Sequence, residues 1–271
     1  MSTKLKTFQY LAKIATPFAL VVVAFFLTTP AEASIINLVN NGSFETTLVG
    51  TPGGYICQAP VTGSTNVCTS NLNGWSSTCK ASTCGTSGTV ASILYANTGG
   101  SAFNGGIGLE GATATTNIAK FNSPDPCGGC GNGGKFLAID GDTTYNASIS
   151  QTISGLTVGQ LYTLQFWQAA AQQRGLTGPQ TEWWDVSFGT DTISSTVMSN
   201  ASKGFVPWSQ QKLTFTAHTT SQVLTFLAMG TPSGLPPVVL LDGVSLVTPE
   251  PGSFLLLGGG LLSLIVVKKR G

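Results

Sequence analysis

In LYTLQFWQ, residues 161–168, Tyr162, Leu164 and Phe166 alternate with Thr163, Gln165 and Trp167. A repeat of two puts successive side chains on opposite faces of an extended chain, so this octet predicts a β-strand with an apolar inner side. QKLTFTA (211–217) repeats the pattern, with Leu213 and Phe215 on one side and Thr214 and Thr216 on the other. Further short runs follow the same logic: ASILYA (91–96), KFLAID (135–140), ASISQTI (147–153), WDVSFG (184–189), VLTFLAM (223–229) and VVLLDGVSLV (238–247). Gly, Asn, Pro and Ser clusters separate them at short intervals, as turns require. No stretch among them has a convincing amphipathic helical period; Ala169 to Gln173 holds one helical turn at most. Many short strands without helices predict an all-β sandwich or jelly roll.

The chain ends are of another kind. Lys4, Lys6 and Lys13 precede an apolar stretch from Ile14 to Leu27, and Ala31-Glu32-Ala33 supplies small residues where a signal peptidase reads. Residues 1–33 are therefore expected to be a cleaved signal peptide. At the other end, VTPEPGSFLLLGGGLLSLIVVKKRG closes the chain with an apolar run from Gly252 to Val267 and a basic tail. Sixteen helical residues reach about 24 Å, less than the roughly 30 Å of a bilayer core, so a single transmembrane helix here is a strained hold. Lys268, Lys269 and Arg270 would stay on the cytoplasmic side, leaving the body of the protein outside.

Pro249-Glu250-Pro251, a short glycine-interrupted apolar helix and a basic tripeptide at the extreme end resemble the PEP-CTERM sorting signal of Gram-negative bacteria that make exopolysaccharide. The resemblance implies recognition of residues 249–271 by a membrane exosortase, removal of the tail, and delivery to the outer envelope or extracellular matrix after transient anchoring in the inner membrane.

Between Ser34 and Thr248 there are six basic residues against nine acidic ones, a net of −3. No basic face exists to neutralise a phosphate backbone, which argues against nucleic acid as a partner. Low charge with abundant Gly, Ser, Thr and Asn fits a single extracellular β domain over residues 34–248.

NLVNNGSFE (37–45), a tryptophan after a variable loop in NGW (73–75), VGQLYTLQFW (158–167), WSQQKLTFTA (208–217) and the closing LLDGVSL (240–246) resemble the galactose-binding-like jelly rolls that include many carbohydrate-binding modules. In such a fold the first and last strands lie side by side, so Glu45 and Asp242 are expected to approach each other. The resemblance implies a structural calcium there, held by carboxylate and backbone oxygens, although no cofactor is required; the alternative is that both residues merely cap turns. DGD (140–142) lacks the further ligands of an EF-hand loop and reads as a turn.

Cys57, Cys68, Cys79, Cys84, Cys127 and Cys130 all fall in a Gly/Ser/Thr-rich segment, about residues 51–134. An even number of cysteines in an exported chain predicts a disulfide-rich loop insertion in the sandwich. Loop closure favours neighbour pairs, 57–68, 79–84 and 127–130, among 15 connectivities. CGGC (127–130) has redox-pair spacing but lacks a helix to stabilise a thiolate. Zinc on Cys79, Cys84, Cys127 and Cys130 is the other chemistry open to them, and outside the cytoplasm oxidation outcompetes it.

Catalytic patterns are weak. His218, the one histidine, sits at a strand end with no nucleophile-elbow serine nearby. Glu182 and Asp185 are the best local pair for glycoside hydrolysis, yet neighbours on one strand seldom oppose each other across a bond. Binding is the better reading. Trp183 and Trp184 are consecutive, so on a strand they face opposite ways, and an exposed indole beside amides holds a sugar ring without charge. With the polar loop QQRGLTGPQTE (172–182) before them, Gln172, Gln173, Arg174 and Glu182 with one of the pair are the candidate saccharide-binding residues. Trp75 and Trp208 are assigned to packing. The expected function is non-catalytic carbohydrate binding or matrix structure. The alternatives are an adhesive surface protein with no defined glycan, and a glycan-active enzyme.

Overall fold

The computed structural model describes residues 36–46, 55–58, 73–78, 89–95, 109–110, 134–145, 147–235 and 237–248. All belong to the second of the two units into which the chain divides, Ile35–Gly271. The expected signal peptide (1–33), the sorting segment (249–271) and the thiols of all six cysteines lie outside the described residues, so the disulfide expectation does too.

The described strands are β1 (Tyr55–Gln58), β2 (Ser76–Thr78), β3 (Thr89–Tyr95), β4 (Lys135–Asp140), β5 (Ser148–Ser154), β6 (Leu161–Gln172), β7 (Gln180–Phe188), β8 (Asp191–Ser194), β9 (Met198–Asn200), β10 (Phe205–Thr216), β11 (Ser221–Thr231) and β12 (Pro237–Val247). They form two sheets, β1-β3-β4-β12-β6-β10 and β2-β5-β11-β7-β8, with β9 paired to β7. Every pairing is antiparallel. The described chain is thus an all-β, two-sheet sandwich, and no described residue is helical.

The second sheet obeys the one-sided pattern. Along β7 burial alternates strictly, sending Glu182, Trp184, Val186 and Phe188 inward. Phe226 on β11 lies at the centre of an aromatic cluster, 5.1 Å from the ring of Phe166, 5.9 Å from Trp184 and 6.3 Å from Trp75. Rings of this size each contribute roughly 1.5–3 kcal/mol by leaving water, so this cluster anchors one sheet to the other.

The first sheet departs from the one-sided expectation. Its central strands β4, β12 and β6 are buried on both faces. The inner face joins the main core, while the outer face gathers Phe136, Ala138, Ala169, Ala171, Val238 and Leu240 under Leu109, with Phe205 and Trp208 packed against them. Sequence alternation cannot reveal this, because a strand covered twice reads as continuously apolar.

The same double burial excludes the single helical turn that the sequence left open at Ala169–Gln173. Ala169 to Gln172 extend β6, in register with Leu240 to Pro237 of β12. Three small side chains fit between two packed layers, Ala170 inward and its neighbours outward. Ladder hydrogen bonding and burial outweigh alanine's modest helical preference.

NLVNNGSFE is not itself a strand but is strapped to the last one. Leu38 N–H donates to Leu246 O at 2.9 Å, Leu246 N–H to Asn37 Oδ1 at 3.0 Å, and Val244 N–H to Gly42 O at 2.9 Å. Asn41, in the left-handed region at φ 52°, donates from Nδ2 to Thr46 O and Asn73 O, and Trp75 Nε1 donates to Asn41 O at 3.0 Å. Trp75 is therefore a core residue, as expected, with its polar end satisfied by the N-terminal motif. Trp208 packs edge-on against Phe136 on the outer side of the first sheet, ring centres 5.6 Å apart, rather than between the sheets.

Candidate functional site

Along β7, odd-numbered residues from Thr181 to Ser187 look away from the core. Trp184 points inward, fully buried, and its Nε1 donates to Leu240 O at 3.3 Å across the sandwich. Trp183 points outward and is half-buried; its Nε1 donates to Asp185 Oδ1 at 3.1 Å, and the Ser194 hydroxyl donates to the same oxygen at 2.6 Å. The indole is thereby held in one orientation by its neighbour two residues on.

Around this tryptophan the outward face is a field of hydroxyls. Thr181 and Thr231 share a hydrogen bond at 2.6 Å, Ser187 and Thr192 at 2.8 Å, Thr78 and Ser148 at 2.7 Å, and Ser154 and Ser221 at 3.1 Å. These rows follow from cross-strand register, for example Ser187↔Thr192 and Asp185↔Ser194. Leu227 and Met229, the latter opposite Trp183, supply apolar surface among them. Sequence reasoning missed this field, though its signal exists in the outward half of each alternation: Ser148, Ser150 and Thr152 in one strand, Thr225 and Thr231 in another.

Of the other candidate residues, Gln172 and Glu182 are fully buried, so along with Trp184 they have no surface to offer a sugar. Gln172 is consumed structurally, accepting from the Lys203 backbone N–H and donating to Gly178 O. Gln173 and the exposed Arg174 follow β6 at the end of the first sheet, where Gln173 bridges Leu109. Trp183 lies on the second sheet, whereas Gln173 and Arg174 follow a strand of the first.

Glu182 sits beside Gln180 on the inner face, both with carboxylate or carbonyl oxygens that no hydrogen bond reaches. Burial pushes the Glu182 carboxyl up to about 8, opposed in part by the Asn200 amide. Asp185 faces the opposite way from Glu182, so these two carboxylates cannot flank one glycosidic bond.

Asp140 and Asp142 form the turn expected of DGD. Asp142 N–H donates to Asp140 Oδ1 at 2.8 Å, and Asp142 accepts from Thr144 N–H at 2.9 Å and Gly234 N–H at 2.7 Å. Burial, with the Asp142 charge adding to it, raises the Asp140 carboxyl to about 7 against the pull of its hydrogen bond. Burial acts on Asp142 as well, but its hydrogen bonds prevail and hold it below the usual carboxylate range. His218 is a surface residue whose Nε2 lies 2.9 Å from Asp191 Oδ2.

Glu45 lies next to Lys135 at the start of β4, its Oε1 accepting the Lys135 backbone N–H at 2.6 Å. Asp242 is buried in register with Trp167, and its Oδ1 accepts from Gly243 N–H at 2.8 Å. Among the described residues, no three His, Cys, Asp or Glu side chains gather to hold a metal ion.

Comparison with known proteins finds the PEP-CTERM protein-sorting motif at residues 247–270. The chain therefore carries at its C-terminus the signal of an exported protein processed at the membrane. No curated protein matches the sequence. Among solved structures, the chain is similar to TmCBM61 in complex with β-1,4-galactotriose (15% identity, TM-score 0.42, 79% of this chain and 99% of that one). It is similar also to the enzymatically active domain of bacteriophage CBA120 tailspike protein 4 (12% identity, TM-score 0.39, 79% of this chain and 22% of that one). A third is the CBM22-1 xylan-binding domain of Paenibacillus barcinonensis Xyn10C (14% identity, TM-score 0.28, 44% and 76%).

Proposed function

We propose that the chain is a non-catalytic, exosortase-processed component of an extracellular polysaccharide matrix, and that it holds glycan on the outward face of its second sheet. The observation that carries this reading is the placement of Trp183: an outward-facing indole, fixed by Asp185 and Ser194, in the middle of paired serine and threonine hydroxyls. A sugar ring offers C–H groups on one face and hydroxyls at its edge, so a flat aromatic flanked by hydroxyls and one carboxylate matches both. A face almost without charge suits a neutral polymer, and its breadth suits a chain lying across several strands. The sorting motif supports an extracellular setting for this reading, since it marks an exported protein processed at the membrane.

The test is migration of the tail-processed protein through native gels containing the exopolysaccharide of the producing cell. Retardation that disappears in Trp183→Ala, with unchanged circular dichroism, is the expected result. Equal migration with and without polysaccharide would refute glycan binding and leave a structural or adhesive role. Release of reducing sugar by the wild type would instead favour an enzyme.

A further inference from the structure

Glu45 presents a carboxylate and a main-chain carbonyl at one point, which is the oxygen chemistry a hard divalent cation takes. A positive charge of the protein's own is already there. The Lys135 ammonium donates to Glu45 O at 2.5 Å and stands 3.9 Å from Oε2, while the Lys135 backbone N–H holds Oε1. Both side chains are sheltered, at 16% exposure for Lys135 and 28% for Glu45.

Calcium needs six to eight oxygens at about 2.3–2.6 Å. At Glu45 that shell contains an ammonium nitrogen, whose charge would repel the ion and whose bulk fills its place. Glu45 and its neighbours therefore do not fit calcium while Lys135 keeps its position.

We infer that Lys135 is the built-in cation of this oxygen set, clamping the N-terminal segment to β4 so that the domain needs no divalent ion at Glu45. The geometry gives the clamp its purpose. Residues 37–44 are strapped to β12 by main-chain hydrogen bonds, and the Glu45–Lys135 contact ties the end of the same segment to the neighbouring strand β4. A tethered ammonium costs no ion-binding equilibrium, so the clamp survives chelators and dilution.

Two measurements decide it. Calorimetric titration of the wild type with calcium chloride should give no binding, and its melting temperature should be the same in EDTA and in millimolar calcium; one-to-one calcium binding at Glu45, lost in Glu45→Gln, would overturn the inference. Lys135→Ala, which vacates the position, should melt several degrees lower in EDTA and recover in millimolar calcium but not in sodium chloride of equal ionic strength. A Lys135→Ala protein that melts like the wild type, or that calcium does not rescue, would also overturn it. Should that variant not fold, Lys135→Met, which keeps the apolar stem, replaces it under the same criteria.

Discussion

Trp183 and Trp184 are adjacent on β7 yet belong to different environments: one indole N–H donates to Asp185 on the outward face, the other to Leu240 O in the opposite sheet. Their substitutions should therefore separate cleanly. Trp184→Ala leaves a large void beside Phe226, a loss of about 3–5 kcal/mol. Trp183→Ala removes a half-buried ring and should cost about 1 kcal/mol or less. Urea unfolding of the two variants checks this, and equal losses would show that β7 does not have the assigned faces.

Glu182 makes stability fall as pH rises. Its ordinary value of 4.5 is pushed up to about 8 in the folded chain, so the folded state holds the proton through that window while the unfolded state releases it. The contribution is intact below pH 4.5 and is lost progressively up to about pH 8, at about 1.4 kcal/mol per pH unit, a burden on the order of 5 kcal/mol. Glu182→Gln should match the wild type near pH 4 and exceed it at pH 8. Asp140, raised from 3.8 to about 7, adds a slope of the same sign, which should be removed in Glu182→Gln/Asp140→Asn. Parallel stability–pH curves for the wild type and Glu182→Gln would contradict the burial of this carboxyl.

Asp142 behaves oppositely. Its carboxyl is held low, so its contribution is present above the ordinary carboxylate range and is lost as pH falls through the folded value. Each of its oxygens accepts one N–H, Thr144 on Oδ1 and Gly234 on Oδ2, which ties the turn after β4 to the loop between β11 and β12. An asparagine keeps one acceptor. Asp142→Asn should therefore cost about 1–2 kcal/mol at pH 7, and the cost should shrink as pH falls below the ordinary carboxylate range. Amide hydrogen exchange at Gly234 should quicken at least about tenfold; unchanged exchange would mean that the second oxygen does not hold this loop.

The two sheets were legible because alternation and burial coincide along β5, β7, β10 and β11, where one face meets water. The first sheet was legible only by halves. Its outer cluster depends on Leu109, brought in by a bridge to Gln173 from a region whose sequence carries no period. The short strands β1, β2, β8 and β9 escaped notice because three or four residues are too few to display a repeat. At the candidate site, the pattern correctly split the tryptophan pair by face but not by direction, since the choice between Trp183 and Trp184 depends on which residues Phe188 and Val186 carry inward with them. Glu182 misled because a charged residue in a polar loop reads as exposed; its burial follows from strand parity, which places it with Trp184.

Gly42 and Gly155 are both in turns, but they are glycines for different reasons, and the difference tests how the N-terminal motif docks. At Gly155 φ is +80° and a Cβ would meet nothing within 4 Å, so alanine there pays only for the left-handed backbone, about 1 kcal/mol. At Gly42 a Cβ would fall 1.9 Å from Val244 O and 2.9 Å from its carbonyl carbon. Backbone cannot yield as a side chain tip does, so Gly42→Ala must push residues 37–44 off β12. The bond from Val244 N–H to Gly42 O goes first, and the one from Trp75 Nε1 to Asn41 O is strained with it. The expected loss is about 2–4 kcal/mol, with the Trp75 emission shifting to the red as its ring meets water. If Gly42→Ala were no worse than Gly155→Ala by thermal unfolding, the motif would not be seated against the last strand, and the close packing of NLVNNGSFE on β12 would have to be abandoned.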